Sequence, residues 1–391
     1  MLRKITTLLL CVAALSFAGC KEEPWVAKVD GKPLTLQEFE NYYYANHRPI
    51  YDASRDEIDS LAKDPKEVQR NPYLNRQKFL EQYIRQHLVE KMIDEEELLV
   101  GDKEYESLKY LQSLSLVVAR YSKMKFTENL NVTPEEIEAE YQAHKDYYAD
   151  QPANKVEKII EQKVKYDKYQ ALSNDVIDSL KDKRRIKRNK EIIDAVVDDD
   201  PSNDPSEGVL FTIDEDFTLT VDDFLNFYYA QHKPVYGVDK DEIDTLAKNP
   251  QAVQQNPLLD KRVFLQQFID QKLVYDEAMN GEFSLKDDKE LEYFIKIQET
   301  ITKIGYYIKK KYSDELEPTD EEIDQVYQQN KENFQGVPAT QIEAYLKPRI
   351  LQQKLQQKGA ELIQNAKEES IIEYNNKTLK SESVASKETG Q

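Results

Sequence analysis

The sequence predicts a mostly α-helical protein of two tandem helical domains, each closed by a short β-ribbon. Three observations support this fold class. A long internal repeat divides the chain into similar halves, and apolar residues in both halves recur at helical spacing behind good capping residues. The chain also has only 10 Gly among 391 residues, which is few for a sheet-rich fold with many tight turns. Its 25 Tyr and 13 Phe supply the apolar area that a helical core needs.

The internal repeat is strongest between residues 39–74 and 224–259, where 21 of 36 positions are identical without a gap. The segment "HRPIYDASRDEIDSLAKDPKEVQRNP" from His47 therefore returns as "HKPVYGVDKDEIDTLAKNPQAVQQNP" from His232. Such self-similarity indicates that one structural design is used twice. Three weaker matches flank it, the second after a one-residue insertion: 25–39 with 210–224, 133–148 with 319–334, and 189–198 with 367–376.

The repeat and the local composition set the predicted domain boundaries. The segment "DDDPSNDPSEG" (198–208) is acidic, contains Pro and lacks apolar residues, which is typical of a linker. The last residues are polar, which is typical of disorder. We therefore predict a signal peptide over 1–19, a first helical domain over 20–198, an acidic linker over 199–209, a second helical domain over 210–380 and a disordered tail over 381–391.

Each copy is expected to open with a short strand and a helix. Apolar and polar residues alternate over 26–30, which predicts the strand. Thr35 and Glu38 then form a capping box that starts the helix. Because Pro disfavours a helical conformation in the residue before it, we expect this helix to end at Pro49, and its counterpart in the second copy to end at Pro234.

The later part of each copy is expected to contain a long polar helix followed by a strand. The long helices are predicted over 155–188 and 339–367. A β-branched run follows each of them, "IIDAVV" (192–197) and "SIIEY" (370–374), and we expect both runs to be strands. A closing strand can pair with the opening strand of its own copy or with that of the other copy, and the sequence leaves both alternatives open.

The N-terminal segment resembles a bacterial lipoprotein signal. It combines a positive start, "MLRK", with an apolar run too short to span a bilayer comfortably, and "FAGCK" places small residues before Cys20. In a lipobox the Cys becomes the lipidated first residue, so we predict lipidation of Cys20. An ordinary signal peptide and an uncleaved anchor are the alternatives. Lys21, and not Asp, follows the Cys, which by resemblance to lipoprotein sorting rules favours the outer membrane.

Charge and motif content argue against several classes of function. The net charge is −20, which disfavours nucleic acid as a partner because phosphate binding needs clustered Lys and Arg. The sequence has no Gly-rich Walker loop and no G-x-S-x-G motif, so we predict no ATP-driven mechanism, no cofactor and no catalytic residue. The repeated acids Asp56 and Asp59 would suit a cation, but acids in a first helical turn are the simpler explanation, and we predict no metal.

His47 and His232 stand at equivalent positions, and the sequence allows two interpretations of them. They could belong to a duplicated functional site. They could instead belong to a helix-exit motif, in which His hydrogen-bonds to carbonyl groups and Tyr packs under the turn. We favour the structural alternative.

The tyrosines around this motif are the candidate site residues. "FENYYYANH" and "FLNFYYAQH" place aromatic rings all round the helix instead of along one stripe. Rings on a concave surface would bind extended apolar segments without sequence preference, whereas rings that face neighbouring helices would belong to the core. The candidate client-binding or core aromatics are Tyr43, Tyr44, Tyr51, Tyr228, Tyr229 and Tyr236.

The segment "KDKRRIKRNK" (181–190) is the only dense basic run in the sequence. It would suit anionic lipid headgroups or an acidic client. The alternative, which we favour, is a solvated helix end whose charge the following acidic linker neutralises.

Several of these segments resemble the SurA, PrsA and PpiD group of extracytoplasmic chaperones, whose helical core is akin to the client-binding arm of trigger factor. "VAKVDGKPLTLQEFENYY" resembles the opening of that group. "TPEEIEAEYQAHKDYY" and "TDEEIDQVYQQNKENF" resemble the helix before its parvulin domain, and "LKPRILQQKLQQKGAELIQNAKEESIIEYN" resembles the helix and strand after it. The resemblance covers most of both halves and implies two SurA-N-like helical domains.

The chain departs from this group at the parvulin domain. Only "ADQPANKV" (149–156) and "QGVPATQI" (335–342) stand where about ninety residues are expected, so we predict that the protein is not an enzyme. The resemblance then implies an ATP-independent chaperone with unfolded or nascent envelope proteins as partners, and the lipobox predicts that it is anchored in the outer membrane and faces the periplasm. The alternatives are an inactive member of the prolyl isomerase family and a surface or structural interaction lipoprotein.

Overall fold

The structure is a computed structural model, and it confirms a mostly helical fold with small antiparallel sheets. Among the described residues, no helix is both long enough and apolar enough to cross a membrane. The predicted signal peptide, Cys20, most of the acidic linker and the C-terminal tail lie outside the described residues. The described residues are 23–148, 151, 153–197, 207–334 and 338–379.

The first copy of the repeat begins with a two-stranded hairpin, continues through helices and ends with a third strand and a short helix. Its elements are β1 (Trp25–Val29), β2 (Lys32–Thr35), α1 (Leu36–Tyr51), α2 (Arg55–Leu61), α3 (Pro65–Arg70), a 3₁₀ turn (Pro72–Leu74), α4 (Arg76–Glu95), α5 (Lys103–Phe126), a 3₁₀ turn (Thr127–Leu130), α6 (Pro134–Ala143), α7 (Lys145–Tyr148), α8 (Ala153–Lys183), β3 (Ile186–Arg188) and α9 (Lys190–Val197).

The second copy follows nearly the same order. Its elements are β4 (Val209–Ile213), β5 (Phe217–Thr220), α10 (Val221–Tyr236), α11 (Lys240–Ala247), α12 (Pro250–Gln255), a 3₁₀ turn (Pro257–Leu259), α13 (Lys261–Asn280), α14 (Lys289–Lys311), α15 (Ser313–Leu316), α16 (Asp320–Gln329), a 3₁₀ turn (Lys331–Phe334), α17 (Ala339–Glu368) and β6 (Ile372–Tyr374).

Capping residues start the helices where the sequence predicts them. The Thr35 hydroxyl oxygen accepts a hydrogen bond from the backbone N–H of Glu38 at 3.2 Å, at the start of α1. Thr133 forms a complete capping box with Glu136 at the start of α6, and Thr319 forms the equivalent box at α16. These caps satisfy backbone donors that a helix leaves unpaired in its first turn.

The expectation that Pro49 and Pro234 end the first helix of each copy is wrong. Each helix continues for two residues beyond its Pro, because a Pro this close to the helix end removes only one late hydrogen bond. The helices end instead at residues in the left-handed conformation, Asp52 with φ 50° and Gly237 with φ 67°.

The sheets resolve which strands the closing strands pair with. One sheet has the order β2-β1-β6 and the other has the order β3-β4-β5, and every pairing is antiparallel. The last strand of the second copy therefore pairs with the first strand of the first copy. The last strand of the first copy pairs with the first strand of the second, so each copy completes the sheet of the other.

The expectation that "IIDAVV" is a closing strand is wrong. This run lies in helix α9, where Ile193 and Val196 are buried at helical spacing. The closing strand of the first copy is β3, "IKR", which comes directly before it. The second copy is as expected, because "IEY" of the run "SIIEY" forms β6. The proposed match of 189–198 with 367–376 is therefore out of register.

The two closing strands dock in the same way. The backbone N–H of Asp30 donates to the carbonyl oxygen of Ile371 at 2.9 Å, and the Asp30 carboxylate accepts from the Ile371 N–H at 3.0 Å. Asp214 makes the same two bonds with Arg185, both at 2.8 Å. Both Asp residues adopt a positive φ, 50° and 52°, which Asp tolerates better than most residues.

Two compact units divide the chain: Met1–Lys91 with Gln357–Gln391, and Met92–Gln356. The first unit contains the β2-β1-β6 sheet, with Val26 and Phe39 fully buried in its core. The second unit contains the β3-β4-β5 sheet, with Leu210 and Phe224 in its core. The boundaries at 198 and 210, which rest on the repeat, stay a prediction.

Removal of residues 370–391 should destabilise the first unit, because β1 would lose its partner β6 and leave backbone N–H and C=O groups unpaired. We expect the free energy of unfolding to fall by about 3 kcal/mol, since several hydrogen bonds of roughly 1 kcal/mol each are lost. Denaturant unfolding followed by circular dichroism measures this change. Removal of 381–391 alone is the control and should have no effect; equal stability of both truncated chains would contradict the prediction.

Candidate functional site

The candidate tyrosines surround a helical corner that occurs once in each copy, formed by α1–α4 in the first copy and by α10–α13 in the second. Tyr43 and Tyr228 are fully buried in these corners. Their hydroxyl groups donate to backbone carbonyl oxygens, that of Tyr43 to Leu74 at 2.8 Å and that of Tyr228 to Leu259 at 2.7 Å. Each bond ties the first helix of the corner to the turn before its last helix.

Tyr44 and Tyr229 are also buried, with only 5% and 9% of their surface exposed. The Tyr44 hydroxyl donates to the Asp59 carboxylate at 3.0 Å, and the Tyr229 hydroxyl donates to Asp244 at 2.8 Å. These carboxylates are the last acids of the repeated "DEID" and hold tyrosines in place. Within the described residues, no group of three or more His, Cys, Asp or Glu side chains is arranged to bind a metal ion.

A cation completes the corner in both copies. Arg76 donates to the Tyr44 hydroxyl at 2.7 Å and to Asp59 at 3.2 Å. In the second copy the buried Lys261 forms an ion pair with Asp244 at 3.2 Å. Burial raises the pKa of Tyr44 above its ordinary value, so its hydroxyl stays protonated and continues to donate.

His47 and His232 are buried inside the same corners. Their Nδ1 atoms lie 2.7 Å from the carbonyl oxygens of Tyr43 and Tyr228, one helical turn earlier. Because a carbonyl oxygen only accepts, Nδ1 carries the proton and donates. Burial lowers the pKa of both imidazoles. These contacts favour the structural alternative for both His residues over a duplicated functional site.

The remaining candidate tyrosines add little accessible surface. Tyr51 is half-buried, and its ring stacks on that of His47 with 6.4 Å between the ring centroids. The side chain of Tyr236 lies outside what the structure describes. Four of the six rings are buried within the corners, which favours the core alternative for these four.

A different candidate site is a groove in the second compact unit. It has a volume of about 1150 Å³ and lies between α5, α8, α9 and α13. Its apolar lining includes Val118, Ile177, Ile193, Leu265 and Ile269, contributed by all four helices. The volume lies slightly above the range of roughly 300–1,000 Å³ that is usual for small-molecule pockets.

Five residues with amide side chains also line the groove. Gln170 and Asn174 come from α8, and Gln266, Gln267 and Gln271 come from α13. A side-chain amide both donates and accepts hydrogen bonds. Gln266 is already engaged, since it accepts from Arg188 and donates to Asp270. The other four amides have the chemistry to pair with the N–H and C=O groups of an extended polypeptide.

Ion pairs neutralise both of the acids that line the groove. Arg262 on α13 pairs with Asp194 on α9 at 3.1 Å, and Lys181 pairs with Asp270 at 2.8 Å.

The segment 181–190 is not the helix end that the sequence suggested. Helix α8 ends at Lys183, and the basic residues continue through β3 to the start of α9.

Sequence reasoning did not find this groove, because α5 and α13 lie far from α8 and α9 in the chain. The available signal was local and weak: the stretch "FLQQFIDQKL" of α13 places three Gln residues beside a strong apolar pattern. The sequence instead directed attention to the tyrosine motif, whose repetition reflects structure.

Comparisons of the chain with protein-family models, with curated proteins and with solved structures find no match. The groove and the corners are therefore interpreted from their own geometry and chemistry.

The buried His residues should make stability depend on pH. The pKa values of His47 and His232 are lowered in the folded state, so the unfolded chain binds protons that the folded chain does not as the pH falls below about 6.5. Above that pH, protonation of the two His residues does not change the free energy of unfolding. Below it, their protonation in the unfolded chain lowers the free energy of unfolding. We expect the thermal midpoint to fall between pH 7 and pH 5, where carboxyl groups still remain largely ionised.

Thermal unfolding of the variant His47→Gln with His232→Gln measures the His contribution. We expect a lower midpoint at pH 7, because buried contacts are lost, but a much flatter dependence between pH 7 and pH 5. A pH dependence in this range as steep as that of the unaltered chain would show that other groups cause it.

Proposed function

We propose that the protein is an ATP-independent, chaperone-like lipoprotein that binds unfolded or translocating envelope proteins. The observation that carries this proposal is the groove between α5, α8, α9 and α13, which is lined by apolar and amide side chains. Apolar lining binds side chains of many shapes, and amides satisfy the backbone of a client that lacks secondary structure. Binding of this kind is reversible and requires no nucleotide.

The resemblance of the sequence to the SurA, PrsA and PpiD group supports the same function. The segments that join α7 to α8 and the last 3₁₀ turn to α17 are too short in the sequence to contain a parvulin domain. We therefore expect no catalysis in a proline-limited refolding assay. Catalytic turnover there would favour the isomerase alternative.

The envelope location is part of this proposal and rests on the lipobox that ends at Cys20. A lipid-anchored protein of the outer membrane that faces the periplasm would be protected from protease added to intact cells, and degraded once the outer membrane is permeabilised. Degradation in intact cells would instead favour the surface lipoprotein alternative. If the Cys20→Ser variant no longer appears in the membrane fraction of the cell, the result would confirm the lipid anchor.

Suppression of aggregation tests the proposed activity. The mature protein without its lipid, at equal molar ratio, should reduce light scattering by a diluted, urea-unfolded outer-membrane protein. Unchanged scattering at that ratio would contradict the proposal.

A substitution in the groove tests whether the groove is responsible. Val263 lines the groove and is 42% exposed, so Val263→Gln removes apolar contact area with little effect on the core. We expect about threefold more protein to be needed for half-maximal suppression, as less apolar area is available to the client. Ile301→Gln is the matched control, since Ile301 is 45% exposed and does not line the groove. Equal effects of both substitutions would argue against the groove.

A further inference from the structure

Five basic residues follow one another closely at the end of α8, along β3 and at the start of α9. All are exposed, and none forms an ion pair with a carboxylate in the part of the chain that the structure describes. Two other basic residues of the same segment do form ion pairs, Lys181 with Asp270 and Arg184 with Asp214. We name as the basic tract the residues Lys183, Arg185, Lys187, Arg188 and Lys190.

The second copy shows that the fold does not require this charge. Strand β6 docks on β1 with the same register as β3 on β4 and with the same pair of Asp hydrogen bonds. The positions equivalent to the basic tract lie 186 residues further on and contain no Lys or Arg. They are Glu369, Ile371, Glu373, Tyr374 and Asn376.

Two residues of the basic tract also line the groove. Arg188 and Lys190 lie there with Arg262, whose charge is offset by Asp194, and the other lining acid, Asp270, is offset by Lys181. Arg188 donates to the neutral amide of Gln266 at 2.9 Å. Among the described residues the lining of the groove therefore has more basic than acidic side chains, although the chain as a whole has a net charge of −20.

We propose that the groove selects extended polypeptide segments in which acidic residues flank apolar ones. The apolar lining would contact the apolar side chains, and Arg188 and Lys190 would pair with the flanking carboxylates. This inference rests on the proposed function and adds a preference among its clients. A concave groove with apolar lining suits a single extended chain better than the flat array of headgroups on an anionic membrane, so a polypeptide is the partner that the geometry favours.

The second copy supplies a variant that removes the charge without disturbing the strand. Lys187→Glu, Arg188→Tyr and Lys190→Asn together place the residues of the β6 region at the equivalent positions of the β3 region. Because β6 docks with these residues in place, the thermal midpoint of the variant should stay close to that of the unaltered protein. A reverse variant, Glu373→Lys with Tyr374→Arg, is the matched control on the other sheet.

The test uses fluorescence anisotropy with labelled twelve-residue peptides that alternate Leu or Phe with Glu, and a matched set with Gln in place of Glu. We expect the Glu peptide to bind the unaltered protein about tenfold more tightly than the Gln peptide at low salt. In 0.5 M salt the two should become equal, because ionic strength screens exposed charges. The triple variant should bind both peptides with the affinity that the unaltered protein has for the Gln peptide. The control variant should keep the preference for the Glu peptide.

Equal binding of both peptides to the unaltered protein, or an unchanged preference in the triple variant, would overturn the inference while leaving the proposed function intact. If neither peptide binds the unaltered protein, the result would count against the proposed function itself. Vesicles containing phosphatidylglycerol form a further arm of the experiment. If the triple variant loses vesicle binding but keeps the peptide preference, the basic tract serves a membrane and the inference is wrong.

Discussion

A single buried hydrogen bond, from a tyrosine hydroxyl to a backbone carbonyl, fixes each half of this protein. Tyr43 reaches Leu74 in one half and Tyr228 reaches Leu259 in the other, and each bond joins the first helix of the corner to the turn before its last helix. A buried carbonyl left without a donor is destabilising, so the aromatic helix, the short helices and the long helix that follows must fold together. The residues that form this bond lie in the repeated sequence, so the same arrangement occurs in both halves.

Much of the helical fold follows from local rules, whereas the candidate site does not. Thr133 starts a helix because its side chain caps the first turn, and this can be read from four adjacent residues. Pro49 was misleading because its effect depends on its distance from the helix end. The run at 192–197 was misleading because β-branched residues also suit a short helix when tertiary packing buries one face. The groove could not be predicted, because α5 and α13, which form it together with α8 and α9, lie far from them in the sequence.

Comparison of the two halves also separates residues that the fold requires from residues that it does not require. Positions that keep their chemistry in both halves, such as His47 with His232, have the same buried contacts in both. At positions where the halves diverge, the backbone keeps its geometry while the side chains change, as at Arg188 and Tyr374. Divergence on a common backbone therefore marks positions whose side chains the fold does not require.

The exchange of closing strands has a consequence for biosynthesis. Strand β1 lies near the start of the chain, but its partner β6 is made only when almost all of the chain has been synthesised. The β3-β4-β5 sheet can form earlier, since its strands lie within 35 residues of one another. The first hairpin therefore keeps one edge unpaired until β6 has been made, and the N-terminal sheet is completed last.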